Sequence, residues 1–139
     1  MCGMNAVRSP MAEALARQAL PPTIFVASAG VRTGERDPFV DVVLAEDDLS
    51  LQDRLPKAID DLDDGYFDLI VTLAPEAHHA ALELTRSMAV EVEYWPTPDP
   101  TTAAGTREQI MAAYRDVRER LKTRIARRFI GLASGDADD

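Results

Sequence analysis

A chain of 139 residues can bury one hydrophobic core but hardly two. Hydrophobic residues make up 46% and charged residues 28%, and no apolar run approaches the roughly 18 to 20 residues that span a bilayer; with no basic-then-apolar leader either, the expected compartment is the cytoplasm. Acidic residues outnumber basic ones 24 to 15, a formal charge of -9 that repels nucleic acid and anionic membranes, and one cysteine allows neither an internal disulfide nor a structural zinc site.

Ser9 and Pro10 offer an N-cap and a residue suited to the first helical position, and Met11, Ala14, Leu15 and Ala19 follow at helical spacing until Pro21 and Pro22 stop the helix. Ile24, Phe25, Val26 and Ala27 form a β-prone run that ends at the turn signal Ser28-Ala29-Gly30, which predicts a strand. Asp37-Pro38 opens a second helix through Phe39, Val40, Val43 and Leu44. Residues 46–64 are acidic and weakly patterned, a loop with one short helix near residues 56–62.

Leu69, Ile70, Val71, Thr72 and Leu73 form a continuous apolar run, which predicts a parallel strand covered on both faces. A third helix follows over residues 75–85. Val90, Val92 and Tyr94 alternate with Glu91 and Glu93, the pattern of a strand at a sheet edge with one wet face. Thr106 and Gln109 stand at capping-box spacing, and Ile110, Ala113, Tyr114, Val117, Leu121 and Ile125 keep the helical period of the last helix. Residues 134–139 form an acidic tail expected to be disordered, leaving a single domain over residues 1–133.

Strands alternating with helices predict a three-layer α/β/α domain around a parallel sheet with right-handed crossovers. In such folds a phosphate-binding loop joins the first strand to the first helix, yet only Met1 precedes the loop at residues 2–9. The first strand is therefore expected to be missing from this sequence, with its start misplaced or truncated.

That loop reads Cys2-Gly3-Met4-Asn5-Ala6-Val7-Arg8-Ser9. A thiol and a guanidinium separated by five residues, on a loop ending at a helix N-terminus, can curl into a nest whose amides point inward around a tetrahedral dianion. Arg8 grips two phosphoryl oxygens with its planar fork, the positive field favours the Cys2 thiolate, and Ser9 hydrogen-bonds the sulfur. Each residue alone has a plainer reading: an ordinary thiol, a surface charge, an N-cap.

The run C-x-x-N-x-x-R-S-P-M-A-E resembles the phosphate loop of the low-molecular-weight protein tyrosine phosphatases, to which thioredoxin-coupled arsenate reductases are related. The similarity continues through Ser28-Ala29-Gly30 and residues 66–72 to Asp99-Pro100. It implies the phosphotyrosine phosphatase I-like fold with a four-stranded parallel sheet, and a two-step displacement at phosphorus without metal or organic cofactor. It further implies Cys2 as nucleophile, Arg8 as oxyanion clamp and Asp99 as general acid and then base, with Gly3, Met4, Asn5, Ala6, Val7, Arg8 and Ser9 around the phosphate. Asn5 matches the asparagine that holds the nest's shape.

Met4 and Val7 stand where the family usually has Gly and often a second Cys, so no internal disulfide protects the thiol. Thr101 and Thr102 follow Asp99-Pro100, where tyrosine-directed members often carry aromatic rings, and Ala6 stands at a position that helps separate phosphotyrosine from phosphoarginine enzymes. The partners implied are a phosphorylated protein or small phosphomonoester and inorganic phosphate. Two other functions stay open: arsenate reduction with an external thiol, suggested by the spacing of Trp95 to Asp99-Pro100, and non-catalytic phosphate binding. Trp95 itself is read as packing. His78 and His79 point about 100° apart on their helix and are read as surface and partial core, and Arg124, Arg127 and Arg128 suit a helix C-terminus.

Overall fold

The computed structural model describes residues 1–2, 7–31, 34–35, 37–51, 67–86 and 89–130. The chain forms two compact units, one of Met1–Pro10, Ser28–Asp37 and Asp53–Thr97, the other of Met11–Ala27, Pro38–Gln52 and Pro98–Asp139. The expected short helix at residues 56–62 and the acidic tail lie outside the described residues, and no described helix is long and apolar enough to cross a membrane.

The first unit is built on parallel strands β1 (Leu69–Thr72) and β2 (Glu91–Tyr94), with Leu69 opposite Glu91 and Thr72 opposite Tyr94. Helix α3 (Pro75–Leu84) joins them; Pro75 occupies its first turn, where a missing N–H costs no bond, and Ala77 and Ala81 are fully buried. Met1 and Cys2 continue the sheet on the far side of β1. The Met1 amino group donates to the Val71 carbonyl at 2.7 Å and Leu73 N–H donates to the Met1 carbonyl at 2.8 Å. On their other side, Cys2 N–H donates to Ala29 O at 3.3 Å and Val31 N–H to Cys2 O at 3.0 Å, a parallel bridge between Cys2 and Gly30. The order across the unit is thus the Ala29 segment, Met1-Cys2, β1 and β2, an α/β fold with a parallel sheet.

The strand predicted over residues 24–27 does not form. Ile24 N–H closes a turn onto Pro21 O, and the Val26 carbonyl accepts from the Arg17 guanidinium. Ile24 and Phe25 remain exposed. Ladder bonds begin only at Ala29, where the chain meets Cys2. β1 is also less covered than its apolar run implies: Leu69, Ile70 and Val71 are half-buried, and only the polar Thr72 is closed off. Its hydroxyl is engaged inside, donating to Glu93 O at 3.2 Å and lying 3.1 Å from His78 Nδ1. His78 stacks on Tyr94 at 4.6 Å while His79 is exposed, so the pair divides between packing and surface as expected.

Helix α1 (Arg8–Ala19) begins in the first unit and runs into the second, which also holds α2 (Pro38–Ala45) and α4 (Arg107–Ile125). Met11, Val40, Val43, Leu44, Val117 and Leu121 are its deepest apolar side chains. The capping box forms, Gln109 N–H donating to Thr106 Oγ1 at 3.2 Å and Thr106 N–H to Gln109 Oε1 at 2.8 Å. Gly105, at φ 114°, precedes it; a Cβ there would lie 2.0 Å from Gln109 Oε1, so only glycine leaves room for the reciprocal cap. α4 ends in a π-helical turn, Ala126–Ile130.

Charge holds α2 to α4. Glu46, just past α2, takes a bidentate grip from Arg115, with contacts of 2.9 to 3.2 Å, and a 2.8 Å bond from Arg118. These hydrogen bonds and charges hold the Glu46 carboxyl at about 2, well below its ordinary value. A carboxyl depressed on folding stabilises the folded state above its unfolded pKa and loses that contribution as the pH falls toward its folded value. Thermal midpoints measured in acid are therefore expected to decline from near pH 4.5 toward pH 2, and Glu46→Gln to flatten that decline.

Candidate active site

Cys2 is bridged to Gly30 next to Met1, whose main chain is bonded to the end of β1, and its side chain is buried. Its Sγ lies 3.0 Å from Ser9 Oγ, and Ser9 Oγ lies 3.5 Å from the Ala29 carbonyl, within donating distance. A neutral thiol can donate a hydrogen bond to Ser9 Oγ while the Ser9 hydroxyl donates to the Ala29 carbonyl; a thiolate instead accepts a hydrogen bond from the Ser9 hydroxyl. The serine thus serves either state of the sulfur.

Ser9 does not cap the helix as expected. α1 begins at Arg8, one residue earlier, which leaves Ser9 inside the first turn with its hydroxyl turned to the sulfur. Pro10, also in that turn, has no N–H to satisfy, and the other first-turn amides have no intrahelical acceptor. The positive end of the helix dipole therefore lies at Arg8. The Arg8 guanidinium donates from Nη1 to the Thr97 carbonyl at 2.9 Å. Burial draws the Met1 amino group down to about 6, with Cys2 opposing that shift and Arg8 adding to it.

Of the residues expected around the phosphate, Val7, Arg8 and Ser9 are described and Gly3, Met4, Asn5 and Ala6 lie outside the described residues. Val7 is buried. Asp99 belongs to the second unit, where its extended backbone caps the 3-10 turn Pro100–Thr102. Its Oδ1 accepts from Thr101 N–H at 3.0 Å and from Thr101 Oγ1 at 2.7 Å. Among the described residues, no three His, Cys, Asp or Glu side chains gather as a metal site.

Trp95 is buried, with Nε1 donating to Glu93 Oε1 at 3.1 Å, in keeping with a packing role. Sequence reasoning missed the Thr97 carbonyl as the partner of Arg8. The available signal was the alternation Pro96-Thr97-Pro98-Asp99-Pro100, which marks a stiff segment ahead of the last helix.

A parallel α/β fold with a buried cysteine 3.0 Å from the serine in the first turn of a helix that begins Arg-Ser-Pro fits the class of cysteine-dependent enzymes that handle tetrahedral oxyanions. Within that class, the chain belongs to the low molecular weight phosphotyrosine protein phosphatase family, whose family model matches residues 1–133. Its relatives include an arsenate reductase of Bacillus subtilis, 30% identical over 125 residues, 90% of this chain and 88% of that protein. A solved arsenate reductase from Archaeoglobus fulgidus is 31% identical with a TM-score of 0.62, covering 90% of this chain and 95% of that one. A tyrosine phosphatase of Erwinia amylovora shares the fold at a TM-score of 0.72 and 23% identity, covering 94% of this chain and 88% of that one. The family and these relatives make the chain an enzyme of the cysteine-based phosphatase and arsenate reductase group.

Proposed function

We propose that the chain hydrolyses phosphomonoesters, phosphotyrosine protein among them, through a phosphocysteine intermediate, in the cytoplasm and without metal or organic cofactor. The observation that carries this reading is the Cys2 sulfur 3.0 Å from Ser9 Oγ, beside Arg8 at a helix N-terminus. The Cys2 thiolate attacks phosphorus in line with the ester oxygen, forming S–P and breaking P–O. Arg8 and the loop amides of Gly3, Met4, Asn5, Ala6 and Val7 hold the equatorial oxygens. Asp99 gives its proton to the leaving oxygen, then takes one from the water that cleaves S–P and releases inorganic phosphate. Ser9 donates to the sulfur as it departs.

The arsenate reductases at 30% identity favour a second reading on the same residues. There Cys2 displaces water from arsenate. An external thiol then attacks the Cys2 sulfur, releasing arsenite and leaving a mixed disulfide that a second external thiol resolves, so two thiols are oxidised as arsenic gains two electrons. The sequence holds one cysteine, so this cycle draws every other thiol from solution.

Both activities are measured side by side: release of phosphate from an aryl ester and a phosphotyrosine peptide near pH 6, and arsenate-dependent consumption of a small thiol. Turnover of the esters with no thiol consumption is the expected result; the reverse pattern assigns the reductase, and phosphate binding without either turnover sinks both enzymatic readings. Asp99→Asn is expected to slow hydrolysis by about a hundredfold or more for esters with poor leaving groups, and much less for activated aryl esters that leave unprotonated. Equal slowing of both ester types would remove Asp99 as the acid.

A further inference from the structure

Between β2 and the 3-10 turn the chain reads Trp95-Pro96-Thr97-Pro98, and its main chain is bonded at almost every step. Trp95 N–H donates to Thr72 O at 2.8 Å, Thr97 N–H to Leu73 O at 3.1 Å, and Thr97 Oγ1 to Trp95 O at 2.8 Å. The one Thr97 group turned elsewhere is its carbonyl, which accepts from Arg8 Nη1 at 2.9 Å. Leu73, buried at the end of β1, joins this strap to the nucleophile's end of the loop. Its N–H donates to the Met1 carbonyl and its carbonyl accepts from Thr97 N–H. One residue's two peptide groups therefore space the chain entering the loop at Cys2 from the carbonyl that meets Arg8.

Trp95 and Thr97 each precede a proline, which disfavours helical backbone at both and keeps them extended. The Pro96 and Pro98 rings are exposed. They bury little, and their contribution is stiffness. A neutral carbonyl also suits the task. It orients the guanidinium fork without adding negative charge, so the attraction of Arg8 for an oxyanion is kept.

We propose that residues 95–98 form a proline-stiffened strap that positions Arg8 through the Thr97 carbonyl, so that the stiffness of the strap sets how tightly the loop holds a tetrahedral oxyanion. This rests on the reading of Arg8 as the oxyanion clamp. The strap is a positioning element. It touches Arg8, and none of its residues is assigned to the phosphate.

The test is calorimetric binding of inorganic phosphate to the full chain, to Pro96→Ala/Pro98→Ala, to Arg8→Lys and to the combination, with thermal melting of each. The double proline variant is expected to melt within a few degrees of the parent and to bind phosphate about five- to twentyfold more weakly. In the Arg8→Lys background the same change is expected to move affinity by less than about twofold, because the group being positioned is gone. Unchanged affinity in the double proline variant, or the same loss in both backgrounds, overturns the strap while leaving the oxyanion site intact. Absence of phosphate binding by the parent chain overturns the clamp reading itself, and the strap with it. If the double variant melts below the assay temperature, Pro98→Ala alone carries the test, with about a two- to fivefold loss expected.

Discussion

Cys2→Ser is expected to lower ester hydrolysis by at least about ten-thousand-fold, since removing the nucleophile of a covalent mechanism leaves only positioning and electrostatic stabilisation. The conjugate base of a serine hydroxyl is far less accessible at pH 6 than a thiolate. The substitution is nearly isosteric, and the new hydroxyl can keep the contact with Ser9 Oγ that the sulfur now makes at 3.0 Å. Phosphate affinity and thermal midpoint should therefore stay close to those of the parent. Single-turnover hydrolysis of an aryl phosphate, run beside phosphate calorimetry, separates the outcomes. Residual hydrolysis within tenfold of the parent would move the nucleophile elsewhere.

The second large effect is on stability. Arg118 lies on α4 with its side chain only 10% exposed. It donates to Val43 O at 2.8 Å, a buried carbonyl in the last turn of α2, and to Glu46 and Glu119 at 2.8 and 2.9 Å. Asp47 lies 3.5 Å away and is shared with Lys122 at 2.8 Å. Arg118→Ala strips the buried carbonyl of its donor and leaves Glu46 and Asp47 with fewer positive neighbours. Leaving a buried carbonyl without its donor costs about 1 to 3 kcal/mol, and the lost contacts with the exposed acids add little to it. Urea denaturation should show a lower midpoint with an unchanged slope. Arg118→Lys is expected to fall between, because one ammonium cannot reach a carbonyl and two acids in the directions that a guanidinium fork serves. A loss below about 0.5 kcal/mol for Arg118→Ala would show the network to be ornamental.

Where an element rests on contacts within one turn or one strand, its residues announce it. The cap of α4 is legible because Thr106 and Gln109 satisfy each other three residues apart, and β2 because Val92 and Tyr94 alternate with acids. The contact between Cys2 and Ser9 is legible too, because a thiol and a hydroxyl stand at fixed spacing ahead of a helical period. Residues 24–27 show the limit. Their β propensity is real, but a strand exists only where a neighbour accepts its ladder, and Arg17 takes the Val26 carbonyl instead. Arg118 shows it again, for nothing in a basic helix distinguishes the arginine that is buried under the end of α2 from those that are solvated.

The sequence by itself determined the helices with local caps, the parallel character of the apolar strand, and the grouping of a thiol, a guanidinium and a hydroxyl within residues 2–9. Only the tertiary structure decided that Ser9 faces the sulfur instead of capping α1, that Leu73 links the Met1 main chain to Thr97, and that the Arg8 fork is held by a carbonyl 89 residues away. The division has a physical cause. Propensity, capping and periodicity act over a few residues, whereas the direction of a buried donor is set by whichever acceptor the packed chain brings to it.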